Sequence, residues 1–110
     1  MIPRNNRLTR SAVAYALKKG HRVSNEYFII KFISSRGTEN RYSASVSTKV
    51  FPNAVDRNRM RRRLYEIIRK SADSIPKPFN IVIIAKNTAA ALDWQKLNKH
   101  LIHTLQKIHG

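Results

Sequence analysis

The chain has 110 residues, 42% of them hydrophobic, with 22 Lys and Arg against 6 Asp and Glu, for a formal net charge of +16. That is room for one folded domain with a modest core, and such a charge calls for a polyanionic partner: RNA, DNA or an anionic membrane. Cysteine is absent, which excludes a disulfide framework and a thiolate metal site and suits a reducing cytoplasm. No apolar stretch can span a bilayer, and the basic start MIPRNNRLTR lacks the apolar core of a secretion signal.

Taken in order, residues 1–8 read as a basic arm on a single domain that occupies residues 1–110. A short helix follows, with Thr9 or Ser11 as N-cap, ending at Lys19 before Gly20. Val13, Ala16 and Leu17 share one of its faces; Tyr15 and Lys18 share the other. Tyr27–Ile33 is aromatic and β-branched, hence a strand, with Phe28, Ile30 and Phe32 on one face and Tyr27, Ile29, Lys31 and Ile33 on the other. A polar hairpin loop over Ser34–Asn40, containing Gly37, leads into Arg41–Thr48, which alternates strictly. Tyr42, Ala44 and Val46 point one way; Ser43, Ser45 and Ser47 point the other and make a shallow polar face.

Phe51 and Pro52 break the strand, and a second helix starts near Ala54 or Asp56, its acid lying at the positive end of the helix dipole. Five arginines fall between Arg57 and Arg63. Wound at about 100° per residue, Met60, Leu64, Ile67, Ile68 and Ser71 lie on one side. Asn58, Arg62, Tyr65 and Arg69 form the opposite stripe, flanked by Arg59 and Glu66 on one edge and Arg61 on the other. A solvated helix face usually mixes signs at i,i+4, but Glu66 is the lone acid against seven bases between Arg57 and Lys70. Self-repulsion of that size implies a nucleic-acid surface. A membrane surface fits less well, because the apolar face is narrow and has no large aromatic.

Ser71–Pro78, with two prolines, is a loop. Phe79–Ala85 is a continuous apolar run, fitting a strand buried on both faces. Asn87–Leu92 makes a turn, and Asp93 caps a last helix in which Trp94, Leu97, Leu101, Leu105 and Ile108 recur at helical spacing. The order is α-β-β-α-β-α, an α+β sandwich with its helices on one layer.

Catalytic chemistry is missing. The six acids are Glu26, Glu39, Asp56, Glu66, Asp73 and Asp93, no two within five residues of each other, and they make a poor metal cage among 22 bases. His100 and His103 could touch one ion but have no obvious third ligand and read as surface or rim histidines. No nucleophile elbow, phosphate-cradling glycine loop or dinucleotide fingerprint occurs.

Ser45-Val46-Ser47-Thr48-Lys49-Val50, followed by Asn53-Ala54-Val55-Asp56-Arg57-Asn58-Arg59-Met60-Arg61-Arg62, closely resembles the signature of the bacterial ribonuclease P protein subunit. That family carries an S-V-S-x-K strand end and then N-A-V-x-R-N-R-x-(K/R)-R. At lower specificity the likeness extends to the Arg7-Leu8 start, the Lys-x-Gly helix end, the run closing in Ile84-Ala85-Lys86 and the last amphipathic helix. The resemblance implies a fold like the second domain of ribosomal protein S5, with a left-handed β-α-β crossover through the basic helix. It implies that the RNA subunit is the catalyst, using Mg2+, and removes the 5′ leader of precursor tRNA. It implies a cytoplasmic protein that joins ribonuclease P RNA as a monomer in a 1:1 complex, and itself holds no cofactor or metal. Carried over by position, the ribozyme-facing set is Arg57, Asn58, Arg59, Arg61 and Arg62, to which the helix stripe adds Tyr65 and Arg69. The leader-binding set is Val13, Leu17, Lys31, Ser43, Ser45, Ser47 and Lys49. Family members often place aromatics where Val13, Leu17 and Lys31 stand, so base stacking gives way to backbone contacts through Lys31, with Tyr15 or Tyr27 as substitutes. Pro52 is a one-residue insertion, and Tyr65 stands where a basic residue is common. A structural RNA-binding protein, such as a ribosomal component, shares the charge, length and fold; only the signature separates the two.

Overall fold

The computed structural model describes residues 7–76 and 78–108. Three helices, α1 (Arg10–Lys19), α2 (Ala54–Ser71) and α3 (Trp94–Leu105), accompany four strands, β1 (His21–Ser24), β2 (Phe28–Ser34), β3 (Arg41–Ser45) and β4 (Phe79–Ala85). The strands form one sheet in the order β1-β2-β4-β3. β1 and β2, and β2 and β4, run antiparallel, while β3 and β4 are parallel neighbours joined through α2; Ser34–Asn40 therefore does not close the expected hairpin, because β4 lies between β2 and β3 and takes the ladder of both. The α+β sandwich read from the sequence therefore holds, with one strand added.

That strand, His21–Ser24, is too short and polar to carry a periodic signal; it forms because the open edge of β2 offers a ladder to the chain as it leaves α1. β3 stops at Ser45, short of the expected Thr48. Its register against β4 ends at Ser45 and Ile84, and the chain then turns, with the Val50 and Phe51 N–H groups both donating to the Ser47 carbonyl.

Phe28, Ile30 and Phe32 of β2, Ile81, Ile83 and Ala85 of β4, and Tyr42 and Ala44 of β3 face one way. There they bury Met60, Leu64, Ile67 and Ile68 of α2 and Leu97, Leu101 and Leu105 of α3 in one core. Burying each of the Leu, Ile, Phe and Met side chains among them fully is worth about 1.5–3 kcal/mol. Trp94 stays partly exposed at the start of α3, with the Lys70 Nζ 5.9 Å from its ring centroid.

The helices do not share one layer. α1 contacts β2 and β4, and its Ala16 is buried, as is Val82 of β4, yet neither belongs to the core cluster. Val82 alternates with Ile81 and Ile83, so α1 covers the opposite face of the sheet. Apolar residues on both faces of β4 are what its continuous apolar run anticipates. Gly20 lets α1 approach this closely: a Cβ there would lie 2.5 Å from the Ala16 carbonyl oxygen and 2.9 Å from that of Phe32.

Two asparagines, Asn40 buried and Asn25 half-buried, fix the ends of the sheet. Asn40 donates to the Pro76 carbonyl at 2.7 Å and the Tyr42 hydroxyl at 3.1 Å, and accepts the Phe79 N–H at 2.7 Å. The Asn25 side chain accepts the Tyr27 and Phe28 N–H groups and donates to the Thr104 hydroxyl on α3, while the Asn25 backbone carbonyl accepts from the Lys86 Nζ.

Candidate nucleic-acid interface

α2 begins where the sequence places it. Asn53 is the N-cap, its side chain accepting the Val55 N–H at 2.8 Å, and Asp56 lies in the first turn. With the Met60–Ile68 side buried, the arginines are presented away from the sheet, but not equivalently. The Arg59 and Arg62 side chains are exposed and make no hydrogen bond or ion pair among the described residues. Arg57 is half-buried, and its Nη1 donates to the carbonyls of Phe51 at 2.9 Å and Pro52 at 2.8 Å, locking the turn before the helix. Arg61 is half-buried and donates to the Asn58 side chain. Arg69 pairs with Glu66, whose carboxylate also lies 3.9 Å from the Lys70 Nζ. The hydrogen bond from Arg69 holds the Glu66 carboxyl below its ordinary range.

Tyr65 departs from the outward stripe. It packs partly buried against the core, and its hydroxyl accepts the Ala44 N–H at 3.1 Å. At one residue past the buried Leu64 it sits on the flank of α2, and that flank meets the outer edge of β3. Beside it the Arg7 guanidinium lies 4.8 Å from the Tyr65 ring centroid. Arg7 bridges Tyr42 in parallel, and the Leu8 N–H donates to the Tyr42 carbonyl at 2.9 Å. Residues 1–6 of the expected arm lie outside the described residues, while Arg7 and Leu8 are part of the sheet edge. Arg7, Asn58, Arg61, Arg62 and Tyr65 thus line a hollow of about 320 Å³, and Val55, Asn58, Arg59 and Arg62 line another of about 220 Å³. Guanidinium forks converging on open hollows suit phosphate oxygens. Sequence reasoning missed Arg7 because one arginine in a basic arm carries no signal until its docking is known.

The second surface is the sheet face under α1. Lys31, Val82 and Ser43 stand in register across β2, β4 and β3, as do Ile29, Ile84 and Ser45. The sheet therefore gathers Lys31, Ser43 and Ser45 on one face. Val13 of α1 is half-buried and Leu17 is 42% exposed. Ser47 and Lys49 lie past the strand, exposed, with the Ser47 Oγ accepting the Lys49 N–H at 3.1 Å. Of the two aromatic substitutes, Tyr27 packs on the core with its ring 4.6 Å from that of His100, whereas Tyr15 is 58% exposed on α1. His103 is exposed, and among the described residues no three of His, Cys, Asp or Glu come together.

The sequence model of the family described as Ribonuclease P matches residues 2–109. The ribonuclease P protein component of Thermotoga petrophila is 33% identical over 97 residues, covering 84% of this chain and 82% of that protein. The Finegoldia magna component is 34% identical over 91 residues, covering 82% and 78%. Among solved structures, the RNase P protein from Thermotoga maritima superposes with a TM-score of 0.88 at 29% identity, over 94% of this chain and 98% of its own. The RNase P protein of Staphylococcus aureus gives 0.83 at 27%, over 92% and 93%. With the family match running from the arm through the arginine helix to the last helix, the chain belongs to the ribonuclease P protein family.

Proposed function

We propose that this ribonuclease P subunit engages ribonuclease P RNA through α2 and the 5′ leader of precursor tRNA through the sheet face under α1. The RNA subunit performs the cleavage with its own Mg2+, and the protein acts as one copy per RNA in the cytoplasm, supplying charge and position. The observation that carries this reading is the state of Arg59 and Arg62: exposed, unpaired among the described residues, and held on a helix whose opposite side is locked in the core. A rigid array of guanidiniums suits a folded RNA whose phosphates are already fixed, and Asn58, Arg61 and Arg7 complete the hollows between them. Lys31, Ser43 and Ser45 beside Val13 and Leu17 suit an extended, flexible strand held along its backbone.

The test uses RNA-free protein and a reconstituted holoenzyme. The protein by itself leaves precursor tRNA intact at any Mg2+ concentration, and adding a bacterial ribonuclease P RNA restores cleavage at low Mg2+. Changing Arg59 and Arg62 together to Ala weakens binding to ribonuclease P RNA whether or not substrate is present. Lys31→Glu leaves that binding intact and weakens precursor tRNA affinity only when a leader is attached. Metal-dependent cutting by rigorously RNA-free protein, or equal loss of leadered and leaderless tRNA in Lys31→Glu, overturns the reading.

A further inference from the structure

β1, absent from the sequence reading, extends the leader-facing side of the sheet by one strand. Arg22 stands directly opposite Lys31, so a single row crosses the whole sheet: Arg22, Lys31, Val82, Ser43. α1 follows the same direction. It begins beside Tyr42, where Leu8 docks, and ends against Phe32, where Gly20 touches the backbone; Tyr42, Ile81 and Phe32 are themselves one row. Ten helical residues reach about 15 Å, and the three spacings of a four-stranded sheet about 14 Å. The row beginning at Arg22 therefore runs alongside α1; its Val82 is fully buried under the helix, while Arg22 is exposed and Lys31 and Ser43 are half-buried.

Two like charges directly opposite each other on adjacent strands destabilise a sheet. α1 and the four strands contain no Asp or Glu to relieve them, and neither the Arg22 nor the Lys31 side chain has a hydrogen bond or ion pair among the described residues. No aromatic stands in the row, and Tyr27 is turned to His100, which leaves Tyr15, 58% exposed on α1, as the aromatic outside it. Single strands are ordinarily held by cations along the backbone together with aromatics under the bases; within the row only the first device is present.

We infer that Arg22 and Lys31 form a two-cation clamp on neighbouring phosphates of a single-stranded RNA leader, so that this chain grips the leader by backbone charge and is indifferent to its bases. The inference rests on the leader reading above and adds Arg22 and the mode of grip.

The experiment uses the holoenzyme reconstituted with a bacterial ribonuclease P RNA, and precursor tRNA with a leader of about eight nucleotides or none. Arg22→Gln and Lys31→Gln are compared with the unchanged protein from roughly 50 to 200 mM salt. Each substitution should reduce the salt slope for leadered tRNA by about 0.7, a difference of about 2.6-fold in how far affinity falls across that range. Leaderless tRNA should be unaffected, and exchanging the leader bases should change nothing. Uncharged methylphosphonates in the leader should reproduce the loss and abolish the effect of Arg22→Gln. Arg22 is exposed on a short edge strand, and an unchanged thermal melt confirms that the variant folds. If Lys31→Gln shows the loss and Arg22→Gln does not, the clamp is wrong while the leader reading stands. If neither variant separates leadered from leaderless tRNA, the leader reading itself falls. Strong dependence on base identity with an unchanged slope means stacking and overturns the indifference.

Discussion

Arg57, Arg59 and Arg62 are indistinguishable as charges, but the structure gives them different work, and the salt dependence of RNA binding separates them. Each phosphate contact contributes about 0.9 to the slope of log affinity against log salt. With six contacts, affinity falls on the order of a thousandfold between roughly 50 and 200 mM salt. Removing the two exposed guanidiniums, Arg59→Ala with Arg62→Ala, should lower the slope by about 1.8 and reduce that fall to on the order of a hundredfold. Arg57→Ala should leave the slope nearly unchanged, because its Nη1 is held by the Phe51 and Pro52 carbonyls. Its cost should appear in the fold. Two charge-assisted bonds on a half-exposed loop are worth about 1–2 kcal/mol, or roughly 4–8 °C of melting temperature for a domain of this size. Fluorescence anisotropy with labelled ribonuclease P RNA across the salt range gives the slopes, and circular dichroism gives the melts. A slope loss in Arg57→Ala equal to that of Arg62→Ala, with an unchanged melt, would refute the division between loop lock and RNA contact.

Asn40→Ala should destabilise the chain by about 2–4 kcal/mol in urea unfolding, because it strands the buried Phe79 N–H and removes two donated bonds. Gly20→Ala should cost about 1–3 kcal/mol although its φ of −73° suits alanine, because the new methyl meets the Ala16 and Phe32 carbonyls. Burial raises the Tyr42 hydroxyl above its ordinary value, outweighing the opposite effect of the Asn40 hydrogen bond. The neutral form is thus the folded one, so its contribution to stability is complete below about pH 10 and is lost as pH rises towards the folded value. Urea unfolding over an alkaline series should show that loss in the unchanged protein and a flatter profile in Tyr42→Phe.

What the sequence made legible was local or periodic. α2 could be read because Met60, Leu64, Ile67 and Ile68 repeat at helical spacing behind a capping Asn53, and β4 because an apolar run of strand length needs cover on both sides. The signature around Arg57–Arg62 likewise separated a ribonuclease P subunit from a ribosomal component, which charge and length could not do. Pairing was not legible. Nothing in His21–Ser24 announces a strand, so the opposition of Arg22 and Lys31 was invisible, and so was the end of β3 at Ser45, which register against β4 decides. Tyr65 was read as an outward residue because a helical projection shows which way a side chain leaves its own axis, and Arg57 was placed among the RNA-facing residues by the family signature. Neither shows that the outer edge of β3 waits beside Tyr65, or a pair of loop carbonyls beside Arg57.

The strand order has a consequence for synthesis. β2 and β3 follow each other in the chain but are never neighbours; β4 lies between them and is made last of the four. Until Ala85 has left the ribosome, β2 and β3 have no common partner, and the row from Arg22 to Ser43 has no middle. The arginine helix, by contrast, is complete at Ser71. A growing chain of this protein therefore displays its cationic helix before its sheet is complete, beside a ribosome made largely of RNA, and closes its fold through contacts distant in sequence, the kind that form slowly. A chain truncated before Phe79 would keep the charge and lose the strand on which both neighbouring surfaces are laid.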